Sequence, residues 1–494
     1  MSTNSSVSNE ELQAQINTLT QETDVFYLCW AATLVFSMQM GFAMLSAGAV
    51  RKKNVQNIML KGVLDACLGA IIWYLWGYGI AYDGDVGIDG HEGNPFLGTG
   101  TTNYALSGLI GDSQAPYGSD WVMWFFQYAF AAAGATIVSG AVAERCNLTA
   151  YLVYTGVITG FVYPIVVHWV WDSSGFLSAG NSDNDVRWGT GVIDFGGSGV
   201  VHMTGGMAAV VSAKILGPRR GRFDENGKPN PGFMGHSTAL TVLGTFMLWI
   251  GWYGFNQGST LTLHDNAQVS ARVGVTTTLS GATAGVVGLY VKRGLPPRLG
   301  GDHVWDLCHT CNSLLAGLVA ITAGCATSEP YAAIFIGAVA AFGYHGGSCL
   351  MRQLHIDDPL DAFAVHGVNG MIGIISVGFF ATKEYTFVTD DDGNKEYGIF
   401  YGGSGLLLGT QLAAATIMIL WDIVMSLLLF MGLHYSGMFR VGIDMELVGL
   451  DKSKHGGDAY PDNPEPPHRY KVSPEPENSA SSSPSKKKKN QPAS

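Results

Sequence analysis

Apolar runs long enough to cross a bilayer recur along this chain, separated by polar stretches. The first extends from about Val25 to Val50 without a charged residue and stops at Arg51-Lys52-Lys53. Later runs lie near 57–82, 120–143, 149–171, 192–216, 237–257, 269–291, 308–328, 330–350, 360–381 and 403–435. A spanning helix needs about 20 mainly apolar residues, so the pattern predicts an all-α polytopic membrane protein with about eleven crossings. Between the eighth and ninth runs only Ser328-Glu329-Pro330 signals a break. Residues 1–23 are polar and lack Lys and Arg, unlike a secretory signal, which opens with basic residues before an apolar core.

Two of the runs carry ionisable groups in the same frame. In Val192-Ile-Asp-Phe-Gly-Gly-Ser-Gly-Val-Val-His-Met-Thr-Gly-Gly206, Asp194 stands eight residues before His202. In Asp358-Pro-Leu-Asp-Ala-Phe-Ala-Val-His-Gly-Val-Asn-Gly370, Asp358 stands eight residues before His366. A Val precedes each His, and Gly206 or Gly370 follows four residues later. An unpartnered ionisable group inside a membrane costs at least about 2.5 kcal/mol, so a repeated pair argues for one site built from two halves. The stretches lie on the fifth and tenth runs. Five crossings between equivalent points give the halves opposite orientation, an inverted five-helix repeat with its site near the midplane and one extra helix at the end.

Charge sets the orientation. Arg51 to Lys53, the Lys214–Lys228 loop with Arg219, Arg220 and Arg222, and Lys292-Arg293 with Arg298 fall on one side. The alternate loops carry Asp83, Asp85, Asp89, Glu92 and Asp112, and then Asp390 to Asp392. The basic side is expected to be cytoplasmic, which puts the amino terminus outside and the carboxyl terminus inside. The expected organisation is an extracellular tail over 1–23, a transmembrane domain over 24–436, a cytoplasmic segment over 437–460 and a disordered Pro-, Ser- and Lys-rich tail over 461–494. The run Lys486–Lys489 reads as solvated tail, with contact to anionic lipid as the alternative.

Composition agrees: charged residues make up 13% of the chain, against roughly 25% in soluble domains. The net charge of -12 comes from acids concentrated in loops, and nothing points to nucleic acid. The seven cysteines read as small core residues rather than a disulfide framework. Cys308-His-Thr-Cys311, with His303 nearby, has the look of a zinc motif, but this spacing at the start of an apolar helix is ordinary packing. Neither metal nor cofactor is expected.

The candidate chemistry lies in the histidines and in three aromatic segments. Two facing neutral imidazoles can pass a proton or hydrogen-bond a small polar solute, whereas each alone would be a satisfied core histidine. Asp194, Asp358 and Asp361 sit near helix starts, where a carboxylate caps N–H groups or steers a cation. Phe126-Gln-Tyr-Ala-Phe130, Tyr163 to Trp171 and Trp252 to Ser259 place rings, an amide and a hydroxyl near the outer ends of the third, fourth and sixth runs. Aromatic faces attract cations by about 0.5–2 kcal/mol.

Several segments together resemble the ammonium transporter (Amt/Mep/Rh) family, in its plant-like Amt branch. They are Phe42-Ala-Met-Leu45, Asn57-Ile-Met-Leu60, Ala143-Glu-Arg145, Val192-Ile-Asp-Phe195, Gly251-Trp-Tyr-Gly-Phe-Asn256, Asp357-Asp-Pro359, Val365-His-Gly367 and His455-Gly-Gly457. The resemblance covers about 25 to 460. It implies a plasma-membrane homotrimer with a pore in each subunit and no enzymatic activity. Carried over by motif, Phe130, Trp171 and Ser259 form an outer ammonium site supported by Gln127 and Trp252. Phe130 and Phe255 form a gate, His202 and His366 the midpore pair, and Asp194 the acid beside the route. In plant relatives a Thr or Ser before the His-Gly-Gly run is phosphorylated, and Ser453 matches it, which implies a kinase as partner. Net ammonium influx is the expectation. An ammonium sensor with little flux and an Rh-like channel for neutral gas are the alternatives. Trp171 and Ser259 argue against the second, and the lack of a signalling domain after residue 460 argues against the first.

Overall fold

The structure, a computed structural model, describes residues 8–82, 93–109, 119–181 and 187–460. The expected disordered tail, Lys486–Lys489 and most of the acidic 83–119 loop lie outside the described residues. Among the described residues every named element is helical. The spanning helices are α1 (Asn9–Ala49), α2 (Lys52–Tyr82), α3 (Asp120–Ala141), α4 (Leu148–Trp171), α5 (Ser198–Leu216), α6 (Thr238–Thr260), α7 (Ala267–Gly294), α8 (Leu307–Thr322), α9 (Pro330–Gln353), α10 (Phe363–Phe380) and α11 (Leu406–Tyr435). Two short helices follow, α12 (Ile443–Val448) and α13 (Leu450–His455).

Local chemistry explains the boundaries. The side chains of Asn147, Ser237 and Asp306 accept backbone N–H groups and start α4, α6 and α8. Pro330 opens α9, where its missing N–H has no partner to lose, so the Ser328-Glu329-Pro330 break is real. Two starts differ from the apolar pattern. Helix α1 begins at Asn9, with a capping box between Ser8 and Glu11, and Asp24 ties it to the α6–α7 loop through the Leu263 and His264 N–H groups. Helix α5 begins only at Ser198, because Gly197 takes a left-handed φ of 101° and residues 192–197 stay non-helical.

The halves meet along α1 and α6, the first helix of each. A Cβ on Gly244 would lie 2.2 Å from the Leu45 backbone nitrogen, so these helices touch backbone to backbone. Close approach through small residues is how helices associate in lipid, where the solvent is as apolar as the side chains.

Candidate functional site

The twin stretches converge on one another. His202 sits on a π-helical turn, Ser198–Met203, and His366 on another, Phe363–Val368. Such widened turns are rare and gather at functional sites. The acids act alike: Asp194 accepts the Gly199 N–H at 2.9 Å and Asp358 the Phe363 N–H at 2.9 Å, in each case the fifth residue on. Asp194 also accepts the N–H groups of Gly197 and Val200, so its carboxylate is occupied as a cap. The trailing glycines are explained too. A Cβ on Gly206 would lie 2.1 Å from the Gly367 nitrogen, and one on Gly370 would lie 2.5 Å from the Ser198 carbonyl oxygen. Each half therefore leaves room for the other half's π turn.

The two rings are buried and face one another, with His202 Nδ1 3.2 Å from His366 Nδ1. One nitrogen must donate and the other accept, so the rings carry their protons on different atoms. His202 Nε2 has no protein partner. Above His202 lies Phe255 at 5.3 Å between centroids, stacked in turn on Phe130 at 4.0 Å. Below, Phe42 lies 6.5 Å from His366. This order, Phe130–Phe255–His202–His366–Phe42, makes a single column.

A cavity of about 110 Å³ caps the outer end of the column and is lined by Phe126, Gln127, Phe130, Trp171, Ser259 and neighbours. Trp171 meets Phe130 edge-on at 5.9 Å and donates Nε1–H to the Asp194 carbonyl oxygen at 2.8 Å. Asp194 thus positions both the outer tryptophan and the His202 turn. Gln127 Oε1 is buried without a partner. The Ser259 hydroxyl donates to the Phe255 carbonyl, which leaves its lone pairs free to accept. Trp252, expected to support this cavity, does not line it. Its ring stacks on His202 at 5.0 Å, beneath the phenylalanine pair, and its Nε1–H donates to Thr322.

At the inner end a cavity of about 180 Å³ is lined by Lys292, Asp306, Asn312, Tyr344, Ser348, Arg352 and Asp361. Asp361 accepts the Tyr344 and Ser348 hydroxyls at 2.9 and 3.0 Å. Asp358 Oδ1 is buried without a partner.

Residues 25–460 match the Ammonium Transporter Family. The chain belongs to the ammonium transporter family. It is 46% identical to Ammonium transporter 1 member 2 of Arabidopsis thaliana over 431 residues, 85% of this chain and 80% of the relative. Against Ammonium transporter 1 member 2 of Oryza sativa the identity is 42%, over 84% of this chain and 82% of the relative. Among solved structures, one named Sensor Amt Protein matches with a TM-score of 0.75 at 29% identity, over 89% of this chain and 99% of that one. Candida albicans Mep2 matches with a TM-score of 0.71 at 30% identity, over 85% and 87% of the two chains.

The remaining motifs of this ammonium transporter hold the inner face together. Arg219, counted in sequence as a loop charge, is buried and pairs with Asp357 and Glu144, both at 2.8 Å. Arg51 joins Glu144 and Arg222 joins Asp357. Burial alone would raise the Asp357 carboxyl, but the guanidinium groups of Arg219 and Arg145 outweigh it and hold it well below the usual carboxylate range. Arg145, fully buried, donates to the Gly217 and Asp357 carbonyls. The segment after α11 docks on α2 of its own chain. Asp451 accepts the Gln56 and Asn57 N–H groups, and His455 Nε2 meets Asn57 Nδ2 at 2.9 Å. The Ser453 hydroxyl donates to the Gly449 carbonyl at 2.8 Å.

Sequence reasoning missed Gln411. Its side chain bonds the Ile193 N–H and both the Ile193 and Ile374 carbonyls, clamping the segment that carries Asp194. A glutamine within an apolar run of α11 was its only signal.

Proposed function

We propose that this transporter recruits ammonium in the outer cavity, strips one proton from it and conducts ammonia past the Phe130–Phe255 gate to the His202–His366 pair. The observation that carries the reading is the imidazole pair, one nitrogen donating and one accepting, directly beneath a stacked phenylalanine gate. In the outer cavity the faces of Phe126, Phe130 and Trp171 attract the cation, and Gln127 Oε1 and the Ser259 oxygen accept its N–H groups. Further in, the rings that make up the column among the described residues are phenylalanines and imidazoles, so the dry route disfavours the charged form. Ammonia is small and can both donate and accept, so it fits between the rings. Potassium has no proton to release and stops at the gate.

The proton is expected to follow, giving net ammonium influx. The basic loops and the docked terminal segment lie on the cytoplasmic side, and the chain works as a plasma-membrane homotrimer. Phosphate on Ser453 would remove the proton donated to Gly449 and add about -1.5 to -2 charges two residues from Asp451, loosening the segment from α2. Ammonium-evoked current and ammonium uptake, measured together in cells lacking their own transporters, test the reading. Both should rise in fixed proportion. Uptake without current would favour a neutral-gas channel, and binding with neither would favour a sensor.

A further inference from the structure

Outside the conduction column, the end of α9 carries a thiol in an electropositive setting. Cys349 is partly exposed on the wall of a cleft of about 560 Å³. Arg352 Nη2 lies 3.1 Å from its sulfur and His345 Nε2 lies 3.6 Å away. His345 Nε2 is also 2.7 Å from the Leu299 carbonyl oxygen, which only accepts, so this nitrogen bears the hydrogen. Arg352 therefore donates to the sulfur, while the His345 Nε2–H points to the Leu299 carbonyl and holds the ring beside the thiol. The guanidinium is braced from behind: Arg352 Nη1 donates to the Ser348 hydroxyl, which donates to Asp361, the nearest acid in this chain of contacts. Arg298 and His355 also line the cleft. Gly300 closes over the thiol with φ +85°, where a Cβ would lie 2.5 Å from the sulfur.

A thiolate, not a thiol, is the nucleophile, and neighbouring Arg and His groups favour it. We propose that Cys349 is a modification site for small disulfides bearing carboxylates, of the glutathione type. The Cys349 thiolate attacks one sulfur of the disulfide, the old S–S bond breaks, and the departing thiolate takes up a proton from water. The retained half stays as a mixed disulfide, with its carboxylates beside Arg298 and Arg352. A second thiol reverses the step by the same exchange.

The test exposes the full-length protein in detergent to glutathione disulfide and follows each cysteine by peptide mass. Cys308, also partly exposed, is the internal reference. An ordinary thiol with a pKa of about 8.5 is only about 3% ionised at pH 7, so full ionisation raises its rate by no more than roughly thirtyfold. Cys349 should react roughly tenfold faster than Cys308, and Arg352→Gln should slow Cys349 several-fold more than it changes Cys308, which shares a cavity wall with Arg352. In the unmodified sequence the rate at Cys349 should reach half-maximum at a lower pH than at Cys308, a comparison that needs no variant to fold. Equal rates at the two cysteines, equal midpoints, or an unchanged rate in Arg352→Gln would each overturn the proposal.

Discussion

Replacing Trp171 with leucine removes an aromatic face from the outer cavity, an edge contact with Phe130 at 5.9 Å, and an N–H donated to the Asp194 carbonyl at 2.8 Å. The consequences fall on different quantities. A cation–π contact is worth about 0.5–2 kcal/mol, and the upper figure needs full desolvation. Trp171 is only partly buried, so about 1 kcal/mol is the expected loss, roughly fivefold in apparent affinity with tenfold as the ceiling. The lost hydrogen bond costs on the order of 1 kcal/mol of folding stability, not of affinity. Trp171→Phe separates the two, since it keeps a ring and loses the N–H. The assay is the half-saturation of ammonium-evoked current at fixed voltage, with surface expression matched. Trp171→Leu should raise half-saturation several-fold, and Trp171→Phe by less than half as much. Unchanged half-saturation in the leucine variant, or equal shifts in both, would show that the ring does not hold the cation.

Other expectations follow from the column and from the inner face. His202→Ala or His366→Ala should abolish or sharply alter proton-coupled current at unchanged surface abundance; currents equal to wild type in both, with potassium still excluded, would reduce the rings to packing. Arg219→Gln leaves Asp357 and Glu144 buried with less compensation and should cost roughly 3–5 kcal/mol, read as a large fall in thermal midpoint in detergent. Because the folded Asp357 carboxyl is held below its unfolded value of about 3.9, its stabilisation is full above pH 4 and drains away as pH falls further. The stability gap between wild type and Asp357→Asn should therefore narrow below about pH 4, and a gap constant down to pH 3 would contradict the assignment. Ser453→Asp should lower transport at unchanged surface abundance while Ser453→Ala stays active; full activity in the aspartate variant would leave the terminal segment a passive brace.

What the sequence disclosed and what it hid divide by range. The frame shared by Asp194/His202 and Asp358/His366 was legible because acid and ring are eight residues apart on one segment, and the fifth-residue N–H cap is local chemistry. The trailing glycines were visible as a pattern, but their reason was not. Gly206 is empty because Gly367 crosses there, a contact between residues 161 positions apart. Trp252 lay within an aromatic run at the outer end of its helix. Only the turn of α6 decides that its ring points beneath the gate, and three residues of difference from Phe255 carry no sign of it. Arg219 misled for a related reason. Basic loop residues usually report topology, yet this one is consumed by Asp357 and Glu144, and neither partner is near it in the chain.

The repeat supplies the two rings, and the departures from it make the ends of the route unlike. Asp194 is filled by three backbone N–H groups, its carbonyl is held by Trp171, and the segment bearing it is clamped by Gln411, which stands on α11 outside the repeat. Asp358 accepts one such N–H and keeps a buried oxygen free. Outside, the column ends in an aromatic chamber that offers the unpaired Gln127 Oε1, the lone pairs of the Ser259 oxygen and the unpaired Tyr82 hydroxyl. Inside lies a chamber where the carboxylates Asp306 and Asp361 share the wall with Lys292, Arg352, an amide and hydroxyls, and Asp361 is fixed by Tyr344 and Ser348. A cation entering from outside gives up water for π faces and acceptors in a tight space of about 110 Å³. On the proposed route, one re-forming inside would meet carboxylates balanced by Lys292 and Arg352 in a space of about 180 Å³. On the proposed route the outer chamber would therefore select by desolvation, and the inner one would return a polar, mixed-charge surrounding. Substitutions outside should therefore change half-saturation, and neutralising Asp361 should act on release and maximal rate.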